Sequence, residues 1–235
     1  MKLENSVVFV TGANRGLGLV FAKQALAQGA RKVYAAARNP DSIALPGVIP
    51  VKLDVTNADD VARVARDYPD VTLLINNAGV AEMGPMLAND AEAMLRRQME
   101  TNVFGPLRLS QAFAPVLQQN GGGGIINVLS IASWITGPLL ATYSVTKSAA
   151  WSMTNALRQE LLAQHTQVLG LHVGFIDTDL TKGLEVPKVS PELVVAETYA
   201  GLEQGASQVL ADDATRQVHG ALSGYPDIYL KAINH

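Results

Sequence analysis

The sequence predicts an α/β fold, a doubly wound and mainly parallel sheet with helices on both faces. Two observations carry this expectation. Six short apolar runs recur along the 235 residues, apolar at successive positions as in strands covered on both faces. Segments of helical periodicity separate them, and repeated strand–helix alternation gives a parallel sheet. In order, SVVFVTG (6–12) leads into a helix over Leu17–Gln28, and KVYAAAR (32–38) follows. VIPVKLDV (48–55) precedes a helix over Ala58–Tyr68, and VTLLINNAG (71–79) precedes one over Ala91–Gln118. GGIINVLS (123–130) precedes Thr142–Gln164, and VLGLHVGF (168–175) precedes Pro191–Gln204. GGGG at 121–124 reads as a loop before the fifth strand. No stretch has linker character, so one domain over 1–235 is expected.

Composition narrows the function. Hydrophobic residues are 48% and charged residues 17% of the chain, enough apolar material for a buried core. A net charge of −3 without a basic stripe argues against nucleic acid as a partner. The absence of cysteine excludes disulfides, thiolate nucleophiles and cysteine-ligated metals. Four scattered histidines give no metal site. MKLENSVVFVTG enters a strand-like run with no signal-peptide pattern, and no apolar stretch reaches membrane-spanning length. The expectation is a cytoplasmic protein with no membrane partner.

TGANRGLG (11–18) lies between the first strand and the first helix. Gly12 permits a tight turn, Gly16 lets backbone approach a pyrophosphate, and Gly18 lets the helix lie close to the sheet. The free N–H groups and positive dipole end of the helix then face the phosphates. Strand, turn and helix in this order mark a dinucleotide site of the Rossmann type. At the end of the second strand, where an NAD-binding fold places an acid on the ribose hydroxyl, stand Ala37 and Arg38. With Arg15 in the glycine turn, two guanidiniums suit a 2′-phosphate, so NADP(H) is expected over NAD(H). The alternative is a pair of solvated surface arginines.

YSVTK (143–147) joins TGANRGLG in a pattern that resembles the classical short-chain dehydrogenase/reductase family over nearly the whole chain. Asp54 in LDVTN matches the family's adenine-contacting aspartate. NNAG (76–79) matches the motif that ends the fourth strand, and Asn102 in TNVFG matches the helix asparagine. Ser130 precedes Tyr143 by the family's serine-to-tyrosine spacing, and Thr178 matches the threonine that contacts the nicotinamide amide. The resemblance implies a sheet of about seven strands and a catalytic set of Asn102, Ser130, Tyr143 and Lys147. It also implies a cofactor site of Gly12, Asn14, Arg15, Gly16, Leu17, Gly18, Arg38, Asp54, Val55, Asn76, Ala78, Gly79, Tyr143, Lys147, Gly174, Ile176 and Thr178. Two positions depart from the pattern. Val173-Gly174 stands where Pro-Gly is usual, and Leu129 precedes Ser130 where a second serine is frequent. Ser133 is the runner-up for the catalytic serine.

Tyr143 and Lys147 lie at i and i+4 of a helix and share a face. A free phenol, with a pKa of about 10, is a poor acid–base group at neutral pH, and a neighbouring ammonium lowers that value. Tyr143 can then protonate a ketone oxygen or deprotonate an alcohol. The resemblance has Lys147 also hydrogen-bond the nicotinamide ribose, Ser130 fix the substrate oxygen, and Asn102 support a water that relays protons to the lysine.

The loops after the fourth, fifth and sixth strands carry specificity in the family. Met83, Met86, Trp134, Leu139, Leu140, Phe175, Leu180 and Leu184 there suggest a lipophilic or aromatic carbonyl. A short stretch from Thr178 to Pro191, within the substrate loop around 175–190, predicts a small mobile flap. The family commonly forms dimers or tetramers through the helices bearing the asparagine and tyrosine, and through the last helix and strand. Two other readings compete. A non-catalytic dinucleotide-sensing regulator would tend to lose the tyrosine or lysine. An extended nucleotide-sugar epimerase would show different glycine spacing and a longer C-terminal region.

Overall fold

The computed structural model describes residues 1–224 and Tyr229. Seven strands form one sheet: β1 Val7–Thr11, β2 Lys32–Ala37, β3 Ile49–Lys52, β4 Leu73–Asn76, β5 Gly124–Val128, β6 Gln167–His172 and β7 Gln208–Leu210. Their order is β3-β2-β1-β4-β5-β6-β7, and every pairing is parallel. The strand order reverses between β1 and β4, so the crevice at the carboxyl ends of these two strands is where a ligand binds in such a sheet.

The continuous apolar strands are explained by the two layers. Val8 and Val10 face helices α1 (Gly16–Ala27) and α6 (Pro191–Glu203), packing with Phe21 and Tyr199. Val7 and Phe9 face α2 (Ala58–Asp67), α4 (Gly105–Gln119) and α5 (Ala141–Glu160), packing with Val64, Phe113 and Leu157. Tyr199 meets Phe21 edge-on at 5.5 Å and donates its hydroxyl to the Phe21 carbonyl at 2.8 Å. That bond satisfies the one polar atom of a fully buried ring.

The expected helix over 91–118 is present but has a break in its winding. α3 (Ala91–Met99) passes into a π turn at Glu100–Phe104 before α4 begins. Pro106 explains it. Proline has no N–H to give the Asn102 carbonyl four residues back, and the chain widens to bonds five apart, such as Gly105 N to Glu100 O. Gly121, Gly122 and Gly123 all have positive φ in the loop before β5. The seventh strand, β7, and the following helix α7 (Asp213–Gly220) lie in a stretch where no apolar run was located. Among the described residues no helix is long and apolar enough to cross a membrane.

Candidate active site

The crevice predicted by the strand order is a cleft of about 640 Å³ across the ends of β1, β2, β4, β5 and β6. Gly12, Asn14, Arg15, Gly16 and Leu17 line one end. Gly12 has φ of +65° and Gly16 of +54°, a conformation that favours glycine. Among the described residues no side chain caps α1, and its first turn carries no acid. Its leading N–H groups are therefore directed at the cleft without an internal acceptor, which fits a phosphate. Gly18 lies beneath, off the wall. A Cβ there would stand 2.2 Å from the Gly12 carbonyl oxygen, so helix and turn meet backbone to backbone.

The turn is bolted to the end of β4. Thr11 Oγ1 accepts from the N–H groups of Asn77 and Ala78 at 3.0 Å, and Asn77 Nδ2 donates to the Thr11 carbonyl at 2.8 Å. Ala78 and Gly79 continue along the wall, as do Asp54, Val55 and Arg38. Asp54 Oδ1 is occupied by the Thr56 amide and hydroxyl, which fixes the carboxylate. Arg38 is exposed and makes no ion pair among the described residues, whereas Arg15 lies 3.7 Å from Asp179 across the cleft. Gly174, Ile176 and Thr178 close the far side. The Gly174 amide donates to Asp212 Oδ2 at 2.7 Å, and Val173 supplies the carbonyl for Ile131 N. The Val-Gly departure is thus built into the local turn.

Asn76 is a correction to the expected cofactor site. It is the last residue of β4, 3% exposed, and its Nδ2 donates to Asn127 Oδ1 at 2.8 Å and to Ser110 Oγ. The cleft begins one residue later, and of these two adjacent asparagines it is Asn77 that lines it.

Ser130, Tyr143 and Lys147 all open onto the same cleft. Ser130 ends the loop after β5 and accepts from Ala132 N at 3.1 Å. Ser133, the runner-up, is buried off the cleft wall. Lys147 is only 7% exposed, and its Nζ donates to the Val128 carbonyl at 2.8 Å and lies 5.6 Å from the Tyr143 ring centre. The expected lowering of the phenol pKa by this ammonium is not what the protein's own groups produce. Burial pushes Tyr143 up to about 12, opposed by the Ser130 hydroxyl, and burial pushes Lys147 down to about 8. Desolvation outweighs attraction because Nζ is turned to a carbonyl rather than to the phenol.

Asn102 is not on the cleft wall. Within the π turn its Oδ1 accepts from Val80 N at 2.9 Å, and its Nδ2 donates to the Val80 carbonyl and to Thr146 Oγ1. Its side chain ties the cleft wall to α5.

On the substrate side, Met83, Leu140, Phe175, Leu180 and Leu184 line the cleft. Met86 and Leu139 are exposed outside it, and Trp134 is turned away, stacked on His172 with ring centres 4.0 Å apart. The segment after Thr178 is short, with a single 3-10 turn at Asp179–Thr181. Bonds between Asp177 N and Val189 O, and between Val189 N and Phe175 O, pin its base.

His172 was not singled out from the sequence, since it reads as one polar residue in an apolar strand. It is 1% exposed and its Nδ1 lies 3.1 Å from the Ser130 carbonyl. Burial lowers its pKa to about 4, against the pull of the Ser130 carbonyl and with electrostatic repulsion from His219, Lys147 and Arg158 pushing further down. The folded value lies below the unfolded one of about 6.5, so the unfolded chain binds the extra proton and stability falls as pH drops between them. From pH 7 to pH 4 this amounts to about 3 kcal/mol. Urea unfolding at the two pH values is expected to show His172→Gln losing less stability on acidification by about that amount. An equal loss in both proteins would refute the assignment.

The family model described as short chain dehydrogenase matches residues 6–188. A crystal structure of a short chain dehydrogenase from Burkholderia cenocepacia J2315, in complex with NADP, is 41% identical, covers 96% of each chain and has a TM-score of 0.91. Gluconate 5-dehydrogenase of Gluconobacter oxydans is 30% identical over 93% of this chain and 92% of its own. A short chain dehydrogenase/reductase from Burkholderia phymatum, in complex with NAD, covers 100% of both chains at TM-score 0.84 and 22% identity, a likeness of fold. Some relatives are longer, and the chain spans 57% and 47% of two of them. A family model matching well over half of the sequence, with relatives this similar along nearly all of it, leaves one conclusion: the chain belongs to the short chain dehydrogenase family of oxidoreductases.

Proposed function

We propose that the protein is an NADPH-dependent carbonyl reductase or alcohol dehydrogenase acting on a lipophilic or aromatic ketone or aldehyde, with Tyr143 as the acid–base group. The observation that carries this reading is the convergence of Ser130, Tyr143 and Lys147 on the cleft headed by the glycine turn. When bound, the nicotinamide supplies or accepts the hydride. Ser130 and Tyr143 present hydroxyls to the substrate oxygen, and Tyr143 delivers or removes its proton. Lys147 supplies positive charge beneath the phenol. The glycine turn and the N-terminus of α1 would hold the pyrophosphate, Asp54 the adenine, and Arg15 and Arg38 the 2′-phosphate. Met83, Leu140, Phe175, Leu180 and Leu184 give the substrate an apolar wall.

A panel of ketones scored by NADPH oxidation tests the activity. Nucleotide binding with no turnover of any carbonyl would favour the non-catalytic regulator instead. For the cofactor, kcat/KM is expected to favour NADPH over NADH by at least about tenfold, one charge-assisted contact. Arg15→Ala and Arg38→Ala are each expected to lower NADPH efficiency by about tenfold and to leave NADH little changed. Equal or better efficiency with NADH removes the assignment. The reading includes a cytoplasmic homodimer or homotetramer through α4 and α5, on whose approach Phe104 and Val145 stay exposed. Light scattering reporting a single chain would end that part of it.

A further inference from the structure

Two buried amides form a ladder beside the tyrosine. Gln98 in α3 is fully buried; its Nε2 donates to Thr142 Oγ1 at 2.8 Å and its Oε1 accepts from Glu82 N at 3.1 Å. One turn on, Asn102 Nδ2 donates to Thr146 Oγ1 at 3.0 Å while its Oδ1 accepts from Val80 N. The donors are four residues apart on one helical segment and the threonines four apart on α5, so the two rungs are parallel. Each threonine immediately precedes a residue of the acid–base pair, Thr142 before Tyr143 and Thr146 before Lys147. The same two amides carry the segment 80–82, which lines the substrate side of the cleft through Val80 and Ala81. Thr142 Oγ1 in turn donates to Met94 Sδ at 3.3 Å, so every polar atom of the upper rung is engaged.

Energy alone does not explain this arrangement. A buried hydrogen-bonded pair gains little over two apolar groups of the same shape, whereas leaving one partner alone is costly. What the rungs supply is register, because a slide of α5 by one residue, about 1.5 Å, breaks both at once. We propose that Gln98 is a positioning residue, whose rung with Thr142 fixes the Tyr143 phenol relative to the wall at Val80–Glu82. The proposal rests on Tyr143 being the acid–base group.

The test compares Gln98→Met, Thr142→Val and the double variant Gln98→Met/Thr142→Val by ketone reduction, thermal melting and NADPH titration. Each single variant is expected to melt lower, since it strands a buried polar group; the double variant removes the Gln98–Thr142 mismatch but still leaves the Glu82 N–H without its acceptor, so it is expected to recover part of that loss. The double variant nevertheless keeps a kcat about ten- to hundredfold below wild type, with NADPH affinity unchanged. Recovery of kcat together with stability overturns the proposal and leaves a rung of structural value only. Thr142→Ser against Thr142→Ala gives an independent reading in a helix position both residues tolerate. Serine is expected to retain most of the wild-type kcat and alanine to lose about tenfold, and equal rates again overturn it. Tyr143→Phe and wild type run alongside. A wild type inactive on every carbonyl overturns the proposal together with the reading beneath it. Activity lost in Tyr143→Phe but kept in the double variant overturns the rung alone.

Discussion

Replacing Tyr143 with phenylalanine is expected to lower kcat by about 10²- to 10⁴-fold, the range of a positioned general acid, with nucleotide affinity nearly unchanged. The substitution removes one oxygen and keeps the ring, so the packing of α5 survives. The Tyr143 hydroxyl faces the Ser130 hydroxyl at the cleft. With the phenol pushed up to about 12, Tyr143 is protonated at neutral pH and holds the proton that a carbonyl reduction needs. The sign follows for both directions. Reduction holds its rate through neutral pH and declines only in the alkaline range, where the phenol ionises. Oxidation of an alcohol needs the phenolate and climbs with pH. Steady-state rates of Tyr143→Phe and pH profiles in both directions check this. Turnover within about fivefold of wild type would remove Tyr143 from the mechanism.

The sequence made six strands legible because each is apolar on consecutive positions, and consecutive apolarity is what burial on both faces requires. β7 escaped because Gln208–Leu210 is three partly exposed residues at the sheet edge, too short for any period. The π turn escaped because it depends on one missing N–H at Pro106, which the periodicity of a long helix conceals. Ser130, Tyr143 and Lys147 were legible through the family resemblance, whose spacing they match within a short segment. Gln98 and Thr142 are 44 residues apart and meet only once α3 and α5 pack. Asn76 and Asn77 could not be told apart on type; the side to which the last strand residue points decides which one meets the cleft. The direction of the phenol shift was misjudged for a related reason. Spacing put a cation one turn away, but only the fold shows Nζ bonded to the Val128 carbonyl.

Gly18→Ala is expected to destabilise the fold by about 3 kcal/mol or more, lowering the melting temperature of a chain this size by about 6–12 °C, and to abolish nucleotide binding. The added Cβ would stand 2.2 Å from the Gly12 oxygen, 2.5 Å from Asn77 Nδ2 and 2.8 Å from the Gly12 carbonyl carbon. Two of these atoms are backbone and cannot turn aside. The third belongs to the side chain that holds the turn to β4 through the Thr11 carbonyl. Relief therefore requires α1 to lift from the sheet, which opens the packing of Phe21 and Ala22 against the core. Gly16→Ala separates the two effects. A Cβ there meets nothing nearer than 3.7 Å, so its penalty is the strain of φ +54°, about 1 kcal/mol. It faces the Thr178 side chain across the cleft, and on the proposed reading it adds a methyl group to the turn that would approach the phosphates. Binding is thus expected to fall in both variants, and melting to fall steeply only in Gly18→Ala. A Gly18→Ala protein that melts within about 2 °C of wild type would mean that helix and turn are not in backbone contact, and the close approach on which the phosphate site depends would be lost with it.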